Sequence, residues 1–98
     1  MKEHSVQIKE NSWLAKMAAA KLKSNAVAIV MGHTIHLHKT GKKDFLQNEK
    51  WLKHELCHVR QFQQHGYFIF VLKYLWQSFK KGYYNNCYEV EARAAEEL

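Results

Sequence analysis

The sequence has no proline, only four glycines and only two cysteines in 98 residues. Without proline and with so few glycines, a turn-rich β-sandwich is disfavoured and long helices are favoured. Collagen-like, mucin-like and low-complexity classes are excluded. Two cysteines, Cys57 and Cys87, cannot build a disulfide framework. Long apolar runs are also missing. The longest aromatic–aliphatic stretch is Tyr67–Leu72, and Lys73 interrupts it before Tyr74–Trp76, which is too short to span a bilayer. Lys2, Glu3, His4, Lys9 and Glu10 break any apolar core of a signal peptide. The expectation is a cytoplasmic protein with no membrane contact.

Acidic residues are scarce as well: nine, against fifteen Lys+Arg, for a net charge of +6. The basic residues are dispersed, however, and no five of them run together. The last ten residues reverse the sign, with Glu89, Glu91, Glu96 and Glu97 against Arg93 alone. This pattern reads as a solvated positive surface, and no nucleic-acid partner is expected. What is present is an ordinary apolar content, 47% of the chain with 13% aromatic. That suffices for one small core, so residues 1–98 read as a single domain.

Asn11 and Ser12 are good N-cap residues for a helix over Trp13–Lys23, with Trp13, Met17 and Ala20 as its apolar stripe and an end near Ser24–Asn25. Ala26–Met31 is apolar and partly β-branched, and Thr34–His38 alternates polar and apolar. Two strands turning at Gly32–His33 predict a small antiparallel hairpin. Lys39–Asp44 reads as a polar loop. From Leu46 to Gln64 the period is helical, with Leu52, Leu56 and Val59 on a buried stripe. Gly66 marks a break. Tyr67–Lys80, apolar nearly all round, predicts a helix central in the core, ended by Gly82. Asn85 or Asn86 can cap a last helix from about Cys87 to Glu97. The order is one helix, two strands and three helices, an α+β domain.

The second of these helices carries His54-Glu55-Leu56-Cys57-His58, an H-E-x-x-H motif. Four residues make about one turn, so both imidazoles leave one face and can meet a single Zn²⁺. Glu55 is rotated by about 100° from His54 and flanks that position, as suits a general base acting on water at the metal. In a chain of this composition the motif is expected by chance roughly 0.04 times, so its place inside a predicted helix is what gives it weight. A catalytic zinc needs a third protein ligand. Glu89, Glu91, His65, Cys87 and Glu96 are the candidates. His65 is on the same helix and cannot easily fold back, whereas Glu89 follows His58 by 31 residues, leaving room for one helix and a turn.

A helical H-E-x-x-H with a downstream E-x-x-A helix, here Glu89-Val90-Glu91-Ala92, resembles the gluzincin-type zinc metallopeptidases. His54–Gln61, with Tyr83 and Tyr88–Ala92, is also similar to short bacterial zincin-like domains bearing HELxHVxQ and a downstream Y-E-x-E-A. The resemblance covers about residues 33–95. It implies a minimal zincin-like fold, Zn²⁺ held by His54, His58 and Glu89, Glu55 as the base, and hydrolysis of a peptide bond in a peptide or protein substrate. In one place the chain departs from the pattern. Many gluzincins have an aspartate four residues after the ligand glutamate to orient a ligand histidine, and here that position is Arg93. An arginine cannot accept an imidazole N–H, so a backbone carbonyl or another carboxylate must do so, or the site is weakened.

Other residues are read beside this site. Zincins pair substrate along a strand edge, and Thr34–His38 is the candidate edge. His36 and His38 share one face of that strand, as a second metal pair or simply an exposed face. Tyr83, Tyr84 or Tyr88 can donate a hydrogen bond to a developing oxyanion, although each reads more simply as a core or surface tyrosine and the sequence does not choose among them; Tyr83 is taken as the candidate donor. Cys57 is read as a small buried residue, and the aromatics of Phe62–Trp76 as core. The rival reading is a non-catalytic zincin-like metal-binding or interaction module, because 98 residues leave little material for a closed cleft.

Overall fold

The computed structural model describes residues 6–23 and 25–98; the segment of Lys2, Glu3 and His4, and Ser24, lie outside the described residues. The elements run β1 (Gln7–Lys9), α1 (Trp13–Leu22), β2 (Val27–Met31), β3 (Thr34–His38), α2 (Lys42–Gln47), α3 (Glu49–His65), α4 (Tyr67–Asn85) and α5 (Cys87–Ala95). The class is α+β, with the expected helix and hairpin ahead of the H-E-x-x-H helix.

The hairpin forms where the period-2 pattern placed it. β2 and β3 pair antiparallel from Val27↔His38 to Met31↔Thr34. Gly32 turns the chain at φ 69°, a region that costs a residue with a Cβ. β1 adds a parallel strand on the far side of β3, with Ile8 opposite Ile35. The sheet order is therefore β1-β3-β2. Thr34–His38 is the central strand, not the edge, and the edges are β1 and β2. A three-residue strand with one apolar side chain offers no alternation to read, which is why β1 escapes the pattern.

Ile35 and Leu37 of β3 point into the core, where they meet Phe45, Val59, Phe62 and Phe70. Phe45 is fully buried and anchors α2, the short helix that replaces the expected loop. On α3, Val59 is buried while Leu52 and Leu56 are half-buried against this cluster, and Cys57 is buried as expected. Asn48 caps α3 by accepting from Trp51 N.

Two helices turn differently from their sequence reading. On α1 the buried residues are Ala15 and Ala19, while Trp13 and Met17 are exposed. The small alanines let α1 lie close to β2 and β3, and Ser12 Oγ, at its cap, meets His36 Nδ1 at 2.9 Å. The larger residues are left outward. On α4 only Phe70 is buried. Phe68, Leu72, Leu75, Trp76 and Phe79 face solvent, so this helix is not central. It packs against α3 and α5 along one side. The regular helix breaks at Gly82, at φ 81° and ψ 166°. Asn86 then caps α5 by accepting from Tyr88 N at 2.8 Å. Its side-chain amide donates to Tyr74 O at 3.0 Å and Ser78 Oγ at 2.9 Å. This fully buried asparagine fixes where α5 starts relative to α4.

Candidate metal centre

α3 and α5 pack against each other, and α4 packs on both. At their junction, His54 and His58 present their Nε2 atoms to the same oxygen of Glu89. The distances to Glu89 Oε1 are 3.1 Å from His54 and 3.2 Å from His58. One donor atom from each of the three residues lies within 4.8 Å of the others, the arrangement of a group that could hold a metal ion. Two bonds of about 2.0–2.1 Å at a tetrahedral angle separate their donors by about 3.3 Å, so the donor set fits such an ion. Of the five third-ligand candidates, Glu89 alone joins the histidines. Glu91 accepts from Gln61 Nε2 at 2.6 Å, His65 Nδ1 meets Lys73 Nζ at 3.3 Å, and Cys87 is exposed. Glu96 faces His54 from outside the cluster. His36 and His38 form no such group among the described residues.

The outer atoms of the three residues are all held. His54 Nδ1 donates to Glu96 Oε2 at 2.7 Å. His58 Nδ1 donates to Gln61 Oε1 at 2.8 Å, while the Gln61 amide donates to Tyr88 O at 3.1 Å and to Glu91. Tyr74 OH donates to Glu89 Oε2 at 2.5 Å. Such partners select the tautomer and leave each Nε2 facing inward. Glu96 is therefore the carboxylate that orients a histidine in this chain. It lies seven residues beyond Glu89, two helical turns, and so on the same face of the helical path. Arg93 does something else. It donates to Tyr84 O at 2.5 Å and lies over the Tyr84 ring at 3.8 Å from its centroid, which braces the turn that carries Tyr83.

Sequence reasoning missed Gln61 and Tyr74 as supports. Gln61 sits three residues after His58 on a helix, a spacing that puts the two side chains in reach. Tyr74 has no such signal, since its partner comes from another helix.

The electrostatics follow from this burial. Burial works against the charged imidazole of His54, but hydrogen bonds to Glu89 and Glu96 outweigh it and raise its pKa to about 9. His58 is likewise burdened by burial and likewise raised, chiefly by Glu89. For Glu89, burial opposes ionisation and the two histidines and Tyr74 override it, holding the carboxyl well below the usual range. Glu55 is different. Burial dominates, only partly offset by His58 and His54, and its pKa rises to about 7. A carboxylate near 7 can both accept and return a proton at neutral pH. Strongly displaced values of opposite sense in neighbouring carboxyls are a mark of functional sites.

A cavity of about 400 Å³ opens onto this cluster. One wall is β2, whose outer edge pairs with no strand among the described residues. The opposite wall is α4, through Phe70, Val71 and Leu75, and the polar floor is His54, Glu55, His58 and Glu89. Tyr83 lines the same cavity. Burial first, then the charges of Glu89 and Glu55, push its phenol up to about 12, so it stays a donor. Tyr84 and Tyr88 do not line it.

Residues 4–66 match the eCIS core domain, a domain of extracellular contractile injection systems. The chain belongs to that family. The matched stretch runs from before β1 through α3 and includes His54, Glu55 and His58; Glu89 and Glu96 lie beyond it. No curated protein and no solved structure matches the chain.

Proposed function

We propose that this eCIS core domain is a minimal zinc metallopeptidase of the gluzincin type. The observation that carries the reading is the convergence of His54 Nε2, His58 Nε2 and a Glu89 oxygen, with Glu55 buried beside them on the floor of one cavity. In this reading His54, His58 and Glu89 hold Zn²⁺. When bound, the ion supplies Lewis acidity, polarising the scissile carbonyl and making the attacking water more acidic. Glu55 takes a proton from that water and delivers it to the departing amine. Tyr83 donates its hydroxyl hydrogen to the developing oxyanion. Glu96, Gln61 and Tyr74 keep the ligand side chains aligned. The free edge of β2 pairs with the backbone of an extended peptide, and the apolar walls of Val71, Leu75 and Ile29 receive its apolar side chains.

The test is metal analysis with a peptide-cleavage assay on the wild type and on Glu55→Gln. The variant should keep its zinc and lose activity by about 10²–10⁴-fold, the usual worth of a general base. Undiminished cleavage in Glu55→Gln would remove Glu55 from the mechanism. A second reading, a metal-binding interaction module without turnover, draws support from the wide apolar face that α4 turns to solvent. It predicts zinc in both proteins and cleavage in neither.

A further inference from the structure

The outer face of α4 is left exposed by the described residues, and of its apolar side chains only Leu75 also lines the cavity. Phe68, Leu72, Leu75, Trp76 and Phe79 follow helical spacing and are 78%, 64%, 58%, 58% and 83% exposed. Together they form a continuous apolar stripe of a kind that soluble surfaces seldom carry without a partner. The stripe is edged by Lys73 and Lys80, and the Lys80 ammonium lies 5.6 Å from the centre of the Trp76 ring. α4 has three lysines and no acidic residue, within a chain of net charge +6.

We propose that this face docks on the surface of an anionic lipid bilayer. Charge and residue type together select this occupant. Phe, Leu and Trp on one side with lysines at the margin is the composition of helices that lie in the interfacial plane. There the rings enter the acyl boundary and the lysine stems reach back to the headgroups. A second copy packed antiparallel on the stripe would set the Lys73–Lys80 margin against its own image, a repulsive arrangement. No helix among the described residues is long and apolar enough to cross a membrane, but lying on a surface requires no span. This proposal departs from the expectation of no membrane contact, which rested on the short apolar runs, the charged N-terminal stretch and the dispersed charge. Leu75 belongs both to the stripe and to the cavity wall, so the docked chain holds the mouth of the cleft beside the lipid. Docking stands whether or not the chain hydrolyses peptides.

Flotation of the full chain with phosphatidylglycerol-containing vesicles, beside pure phosphatidylcholine vesicles, tests this. The chain should float with the anionic vesicles. Lys73→Gln with Lys80→Gln should weaken binding roughly 30-fold, from the contribution of each lysine near a charged surface. Leu72→Ser with Phe79→Ser should abolish binding while the circular dichroism spectrum stays unchanged. If that pair misfolds, the emission of Trp76 gives an independent readout. It should shift to the blue on adding anionic vesicles, and the shift should be missing from Trp76→Phe. Failure to float, binding that survives Leu72→Ser/Phe79→Ser in a folded protein, or a stable dimer that those substitutions dissociate would each overturn the proposal.

Discussion

On its inner side α4 buries Phe70 against the core and sends Tyr74 to Glu89. On its outer side the same helix leaves Phe79 83% exposed and Phe68 78% exposed. At the His54–His58–Glu89 cluster polar groups sit in a buried place, and no buried polar side-chain atom there or elsewhere among the described residues lacks a partner. On the outer face apolar groups sit in a wet place with no covering element among the described residues. Each arrangement is costly unless something answers it. A buried ionisable cluster needs partners, and an exposed aromatic stripe needs a surface. The first requirement is met inside the chain by Glu96, Gln61 and Tyr74. The second is met by nothing among the described residues.

That contrast predicts opposite responses to substitution. The largest effect belongs to Glu89. Glu89→Ala removes the oxygen shared by both histidines, so zinc affinity, measured by competition with a chelating dye, should fall by more than the ~100-fold ceiling for an outer partner. Glu96→Ala should come next, at about 10–100-fold, because it frees His54 Nδ1 without removing a ligand. A loss as large as that of Glu89→Ala would make Glu96 a ligand itself.

A third test uses pH on the metal-free protein. The pKa of His54 is raised from 6.5 to about 9, so its contribution to stability is complete below pH 6.5 and lost as pH rises through 9. That of Glu55 is raised from 4.5 to about 7, so stability also falls as pH rises between those values. The thermal midpoint without metal should therefore decline from mildly acidic pH to pH 9. Zinc displaces protons from the imidazoles, and its stabilising effect should grow over the same range. A midpoint that rises with pH in the metal-free protein would contradict the assignment.

The smallest effect belongs to the outer face. Leu72→Ser or Phe79→Ser should change folding stability by no more than about 0.5 kcal/mol in denaturant titration, since neither side chain is buried. A loss of several kcal/mol would show that the stripe belongs to the core after all.

The parts of the site that share one helix were legible in the sequence. His54 and His58 are one turn apart, Glu55 lies between them, and the spacing alone puts both imidazoles on one face. Glu89 was legible through the resemblance and through the length of chain left for an intervening helix. The supports were not, because Glu96, Gln61 and Tyr74 depend on how α3, α4 and α5 register against one another. Asn86 sets much of that register through two hydrogen bonds to α4, and its cap role was visible while its second role was not. The misplacement of α4 has a different origin. Apolar composition states that a helix wants cover, not that the chain supplies it, so Phe68 and Trp76 read as core although nothing among the described residues lies over them. Trp13 and Met17 on α1 misled in the same way, because Ala15 and Ala19 made the closer contact with the sheet.

The central claim is that one zinc ion sits between α3 and α5. An anomalous difference map at the zinc edge, from crystals of the protein purified with Zn²⁺, addresses it directly. The predicted result is one peak per chain, bounded by His54 Nε2, His58 Nε2 and the Glu89 carboxylate, and missing from Glu89→Ala. No peak at this position, or a peak at His36 and His38 instead, would contradict it.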